Sequence, residues 1–328
     1  MDSEFRQDIV SGDWILIAPL RSRRPDPFKE TKQRQKAPKG ECRMEIAGEK
    51  GNGKLIFSWP TKKNWRLRVI TNKYSVVTPK KTGVIASKKG PISIINGVGH
   101  HEMVVTRDHD ANFPRLSPAD ALLVFQAFQS RYQDFSCDKN LLYVSLMHNW
   151  GPTAGASIYH PHYQIIAIPL VPPDVQHSLE GSRRYFRTRK KCVHCTQIDW
   201  ERKQKKRIVF ENKGAIAFCP FVSREPFELR IIPKTHISFF EDTEEESLKD
   251  TVEALQVALK KIEVALHDPD YNFFIHTAPI KNRNRYHHYH WHIEVIPRTN
   301  ISAGFELETA IEINPLDPDK AATILKNA

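Results

Sequence analysis

His160, Pro161, His162 and Gln164 stand together in the stretch IYHPHYQ, which runs straight into the apolar segment IIAIP. Along an extended chain the side chains at i, i+2 and i+4 share one face, so this spacing predicts two imidazoles and an amide side by side on a strand. Polar groups gathered beside a buried run must satisfy one another, hold a metal or hold a ligand. An imidazole is also a nucleophile that needs no strong base. Its ordinary pKa of about 6.5 leaves much of it uncharged at neutral pH.

A second cluster, His288, His290 and His292 in HYHWHIEVIP, repeats the pattern. Both clusters carry a proline nine residues after their first histidine, which sets His288, His290 and His292 opposite His160, His162 and Gln164. The preceding segments repeat as well. In HEMVVTRDH and FELRIIPKTH, Glu opens an alternating strand and a histidine, His109 or His236, follows seven or eight residues later. A helix starts after each. Ser117, Pro118 and Asp120 predict a capped start for the first, and Thr243 with Glu246 predicts a capping box for the second. Leu248, Val252, Leu255, Leu259, Ile262 and Leu266 then form one apolar stripe, suited to packing on a sheet.

With WILIAPL, LRVITN, EMVVT and NLLYVSL as further strands, each half reads strand, strand, helix, strand. That order predicts an α+β fold of antiparallel or mixed sheets with helices packed on one side. Two tandem domains are expected. Residues 1–185 would carry the HPHYQ cluster, and residues 186–328 the CxxC and HYHWH clusters.

Cys192 and Cys195 form that CxxC in KCVHC, and the total of five cysteines does not suit a disulfide framework. In a reducing compartment such a pair suggests metal first and redox second. No apolar run approaches the ~20 residues of a membrane span, and the polar opening MDSEFRQDIVSGDW is unlike a secretory signal. A cytoplasmic location is expected. The net charge is +11 with a pI of about 9.3. Runs such as RRYFRTRKK and RKQKKR read as solvated faces, or as a field that attracts phosphate-bearing small molecules, rather than as a nucleic-acid groove.

Taken together, RQDIVSGDWILIAPLRSRRP, ITNKYSVV, HEMVVTRDHDANFPRLS, HNWGPTAGASIYHPHYQ and HYHWHIEVIPRTNISAGFE resemble the galactose-1-phosphate uridylyltransferase family. This is the duplicated-domain branch of the histidine-triad superfamily, and the resemblance covers nearly the whole chain. It implies two tandem histidine-triad-like domains and a nucleotidyltransferase that works by two displacements through a nucleotidyl-histidine. By resemblance His162 is the nucleophile, the His160 carbonyl fixes its tautomer, and Gln164 donates to the phosphoryl oxygens. Ser157 would bond the sugar phosphate. Asn149 would help hold the phosphates, Asn72 matches the nucleotide-side segment, and Arg21 and Arg24 would meet phosphates. Phe305 and Glu306, with Asn300, Ile301 and Glu312, fall where the family reads the hexose. Asn300 and Glu312 depart from the family's usual residues there.

The implied substrates are a nucleotide sugar and a sugar 1-phosphate, UDP-glucose and galactose 1-phosphate being the default pair. With inorganic phosphate as acceptor the same site becomes an ADP-sugar or dinucleotide phosphorylase. A homodimer is implied, its subunits completing each other's sites. The resemblance also implies Zn(2+) on Cys192, Cys195, His236 and His290, although matching the halves by their prolines favours His288. The first-half counterpart keeps Cys42, His109 and His160, with Glu45 where a second cysteine would stand. Two other readings remain open: hydrolysis at the second histidine cluster, and a non-catalytic nucleotide or nucleic-acid binding protein.

Overall fold

The computed structural model describes residues 2–23, 34, 36–45, 51, 53–79 and 83–328. The first half supplies β1 (Glu4–Gln7), β2 (Trp14–Ile17), β3 (Leu55–Pro60), β4 (Trp65–Thr71), β5 (Ala86–Lys89), β6 (Ile92–Ile95) and β7 (His100–Thr106). Helix α1 (Pro118–Ser136), β8 (Tyr143–Trp150), β9 (His162–Ile168) and α2 (Pro173–Arg189) follow. The expected boundary at residue 185 lies inside α2. The second half supplies α3 (Val193–Gln204), β10 (Ile208–Glu211), β11 (Ala215–Phe218), β12 (Leu229–Pro233), α4 (Glu245–Ala265) and β13 (Tyr271–His276). The chain closes with β14 (His292–Pro297), α5 (Gly304–Thr309), β15 (Ile313–Asn314) and α6 (Pro318–Asn327).

Ten of these strands form one antiparallel sheet in the order β10-β11-β12-β14-β13-β8-β9-β7-β4-β3. Each half contributes five neighbours, and they meet where β8 pairs with β13, Leu146 opposite Ile275. The α+β fold is as expected, with the two repeats sharing a single sheet.

Alternation divides the sheet into two faces. On one face Val104, Leu146, Tyr163, Phe273, Ile293 and Leu229 join the main core with residues of α1 and α4. The leucine stripe of α4 is buried there as its spacing predicts, from Leu248 to Ile262. The opposite face carries the polar residues His162, Gln164 and His276. The first helix starts as expected, Ser117 accepting from the Asp120 N–H. The second does not. Its cap residue is Glu244, no side chain caps it, and the buried Thr243 hydroxyl has no hydrogen-bond partner among the described residues. Glu245 and Glu246 in the first turn favour the positive helix end by charge instead. The expected strand WILIAPL is short and stands outside the large sheet, between β1 and a parallel β15. No helix among the described residues is long and apolar enough to cross a membrane.

Candidate active site and metal-ligating clusters

Strand β9 begins at His162. Pro161 has no N–H to give a ladder, so His160 stays outside the strand, and the chain bends back on itself there. The bend brings the His160 carbonyl to 2.9 Å from His162 Nδ1, which therefore carries the proton and donates. Nε2 is left with its lone pair and makes no hydrogen bond among the described residues. His162 is 6% exposed, and burial pushes its pKa below the ordinary histidine value. Its own backbone carbonyl is held by His148 Nδ1 at 2.8 Å from the neighbouring strand. The His162 ring is thus neutral, fixed in tautomer and fixed in aim. His160 does not share its face: His160 Nε2 donates to Thr106 O at 2.8 Å, which turns its Nδ1 toward Cys42.

Gln164 follows on the same face as His162. Its Oε1 lies 3.0 Å from His101 Nε2, and the Asn72 amide nitrogen lies 3.1 Å from that same ring nitrogen. Asn72 Oδ1 accepts from the Tyr74 N–H.

Beyond the end of β8 the chain makes the turn from Gly151 to Gly155. Gly151 has φ +87°, and a Cβ there would overlap the Asp270 carboxylate. Asp270 Oδ2 accepts from the Thr153 N–H at 2.8 Å and the Thr153 hydroxyl at 2.6 Å. Asn272 donates to Asn149 Oδ1 at 2.8 Å and to Ala154 O at 2.9 Å. So β13 of the second half clamps the glycine-containing turn of the first. Asn149 is half-buried at the base of this turn and Ser157 is exposed beyond it.

His160, His162, Gln164, Asn149 and Asn72 are thus carried on adjoining strands and turns. Other expected residues are not tied to them by hydrogen bonds among the described residues. Arg21 lies in the 3-10 turn Pro19–Arg23, and Arg24 falls outside the described residues. Phe305 is exposed on α5, and Glu306 turns back to accept from the Ala303 N–H at 3.1 Å. No hydrogen bond among the described residues joins Arg21, Phe305 or Glu306 to the His162 cluster. Sequence reasoning missed His101, His148, Asp270 and Asn272. Strand alternation through HHEMVVT and YNFFIH puts His101 and Asn272 on the polar face, but nothing in the sequence names their partners.

Two clusters have the chemistry of metal sites. The ligand atoms of Cys192, Cys195, His236 and His290 lie within 4.8 Å of one another. His236 Nε2 donates to His287 O at 2.9 Å, which leaves Nδ1 free toward Cys195 Sγ at 3.5 Å. His290 Nδ1 is also 3.5 Å from that sulfur. Hydrogen bonding from Cys195, then from His236 and His290, holds Cys192 toward its thiolate. Two sulfurs and two imidazoles with their lone pairs converging fit a tetrahedral zinc ion.

In the first half Cys42, His109 and His160 also come within 4.8 Å. Glu45 Oε1 stands 3.8 Å from His160 Nδ1. It is buried without a hydrogen-bond partner among the described residues, as is His109 Nε2. Buried polar atoms left without partners are costly unless something ligates them, although Glu45 is not among the atoms that come within 4.8 Å of one another.

The two halves correspond differently from the match made on their prolines. His292 Nδ1 faces the His290 carbonyl at 3.1 Å, as His162 faces His160, and His290 meets Cys195 as His160 meets Cys42. The counterpart of His162 is therefore His292, the counterpart of His160 is His290, and Glu294 takes the place of Gln164. His288 instead lies near the Leu179 carbonyl, its Nε2 3.2 Å away, and takes no part in the cysteine cluster.

This register bears on hydrolysis at the second cluster. His292, His276, His194, Glu294, Arg224 and Arg230 help line a cavity of about 350 Å³. Glu294 is bound to Arg224, and to His276 at 3.0 Å. Burial works against its charge, yet Arg224 holds it as a carboxylate. A carboxylate where the first half has an amide repels a phosphoryl group.

The model of the galactose-1-phosphate uridyl transferase N-terminal domain matches residues 2–172, and that of a domain of unknown function, DUF4921, matches residues 98–327. An ADP-glucose phosphorylase of Arabidopsis thaliana is 31% identical over 98% of this chain and 92% of its own. A galactose-1-phosphate uridylyltransferase of Thermotoga maritima is 26% identical over 98% of each chain. The crystal structure of an Arabidopsis thaliana ADP-glucose phosphorylase with bound ADP-glucose matches with a TM-score of 0.83 at 29% identity. It covers 100% of this chain and 99% of that one. Matched from end to end, and with His162 set on β9 as described, the chain belongs to the galactose-1-phosphate uridylyltransferase family of the histidine-triad superfamily.

Proposed function

We propose that the chain transfers a nucleoside monophosphate from a nucleoside diphosphate hexose to a second phosphate acceptor, with His162 carrying the nucleotide in between. The observation that supports this most is the 2.9 Å bond from His162 Nδ1 to the His160 carbonyl, which leaves Nε2 as an uncharged, aimed nucleophile. Nε2 attacks the α-phosphorus, a P–N bond forms, and the P–O bond to the hexose phosphate breaks. The ring keeps its Nδ1 proton, and the positive charge it gains is met by the carbonyl. An acceptor phosphate oxygen then attacks the same phosphorus, the P–N bond breaks and neutral imidazole returns. Splitting the transfer into two displacements keeps two bulky anions from having to meet.

In this reading Gln164 and Asn149 donate amide hydrogens to the phosphoryl oxygens, Ser157 bonds the hexose phosphate, and Asn72 meets the nucleoside. The acceptor is a hexose 1-phosphate, as in a uridylyltransferase. A second reading, with inorganic phosphate as acceptor and an ADP-sugar as donor, is favoured by the 31% identity to an ADP-glucose phosphorylase. Arg21, Phe305 and Glu306 make no hydrogen bond to the His162 cluster among the described residues. A homodimer whose copies complete each other's sites would bring such residues to the nucleotide. Zinc on Cys192, Cys195, His236 and His290 would brace the second half, and Cys42, Glu45, His109 and His160 would take a second ion. Such ions are structural, joining distant segments rather than activating water.

Incubation with UDP-glucose or ADP-glucose labelled at the α-phosphate tests the reading. Acid-labile, alkali-stable label on the wild type, and none on His162→Gly, is expected. No label from either sugar would remove it. Release of the label by galactose 1-phosphate or by inorganic phosphate separates the two acceptors.

A further inference from the structure

We propose that His101 is a positioning residue for transfer, presenting the amide nitrogen of Gln164 to the phosphoryl group. This rests on His162 carrying the nucleotide. Three polar groups surround the His101 ring, which is 6% exposed on β7. The Val76 backbone N–H points at Nδ1 from 3.3 Å. A peptide N–H can only donate, so Nδ1 is the acceptor and the ring proton sits on Nε2. Nε2 then donates to Gln164 Oε1 at 3.0 Å.

A primary amide has one oxygen and one NH2 group, so pinning the oxygen against His101 turns the NH2 away from it. A glutamine free to flip would offer phosphate its oxygen half the time, which is repulsive. This tautomer leaves one contact opposed, Nε2–H against the Asn72 amide nitrogen at 3.1 Å; the opposite one would leave two, hydrogens face to face at Val76 and lone pairs face to face at Gln164 Oε1. Burial pushes His101 below the ordinary histidine value, so at neutral pH the ring has one proton to place. The carbonyl of His101 also accepts from the Asn72 N–H at 2.8 Å, which fixes the backbone beneath the ring.

The experiment has an arm that needs no turnover. Long-range proton–nitrogen spectra of ¹⁵N-histidine-labelled wild type should show His101 protonated at Nε2. That resonance should move in Gln164→Ala and stay in Asn72→Ala. A ring protonated at Nδ1, or an Nε2 signal that responds only to Asn72→Ala, overturns the proposal even if no substrate is ever found.

The second arm follows label transfer to His162 from UDP-glucose or ADP-glucose. His101→Phe, which cannot donate, should slow it about ten- to hundredfold with less than about a threefold change in KM. His101→Gln should recover part of the rate, because its amide can donate to Oε1. In a Gln164→Ala background His101→Phe should cost nothing further. An equal cost in that background, or a cost that vanishes only with Asn72→Ala, also overturns it. Absence of label on the wild type defeats the proposed function, and the spectra then decide the tautomer by themselves.

Discussion

Asp270, on the segment leading into β13 of the second half, accepts both the N–H and the hydroxyl of Thr153, in the turn before the His162 strand. The two residues stand 117 positions apart in the chain. Asp270 is 2% exposed, and its other oxygen faces Arg34 Nε at 3.5 Å. The conformation of the turn therefore depends on the second repeat.

Asp270→Asn keeps the shape and removes the charge. Hydrogen bonds to a charged group contribute about 1.5–3 kcal/mol, so labelling of His162 should slow about tenfold or more while the circular dichroism spectrum is unchanged. An unaltered rate would mean the turn is held by other contacts.

Gly151→Ala meets two obstacles, a positive φ and the same carboxylate. Together they should cost about 2–4 kcal/mol in denaturant unfolding. A loss under about 0.5 kcal/mol would show that the turn relaxes around the methyl group.

The two histidines held alike by a carbonyl should behave differently. His162→Asn should abolish covalent label, and His292→Asn should leave it within about twofold, because Glu294 gives the second half no amide donor. Label that survives His162→Asn and is lost with His292→Asn would reverse the assignment of the two halves.

Burial lowers both His101 and His162 below the ordinary histidine pKa of about 6.5. In the proposed mechanism the neutral form of each is the working one, so the acid limb of kcat/KM for the first half-reaction should lie below pH 6.5. The sign for stability is the same. The unfolded chain binds these protons first, so stability is full above about pH 6.5 and falls as the pH drops toward the folded values. An acid limb above pH 6.5 would contradict the burial argument.

Metal content should be two ions per chain by elemental analysis, one for each cluster of ligating residues. Cys195→Ser and Cys42→Ser should each remove one and lower the melting temperature. A single ion that survives Cys42→Ser would leave the second-half cluster as the only metal site.

Much of this was legible in the sequence because it depends on neighbours in the chain. The Ser117 cap, the leucine stripe of α4 and the run that becomes β9 follow from local periodicity and hydrogen-bonding chemistry. The second cap failed because Thr243 and Glu246 have the right spacing, but the cap position falls one residue later, at Glu244, and the helix starts at Glu245. The register between the repeats also needed the fold. Sliding one histidine cluster by two residues keeps every side chain on its own face, so alternation is blind to that shift. The carbonyl partners of His162 and His292 and the cysteine partners of His160 and His290 decide it.

The identities, the spacing and the likeness to a known family were determined by the sequence alone, since the proposed nucleophile, its neighbouring carbonyl and the amide of Gln164 lie within five residues. What holds them came from elsewhere. His101 is 63 residues from Gln164, and Asn272 is 123 from Asn149. A hydrogen bond between strands depends on pairing and register, which exist only once the sheet has formed, and no local pattern records such a partner.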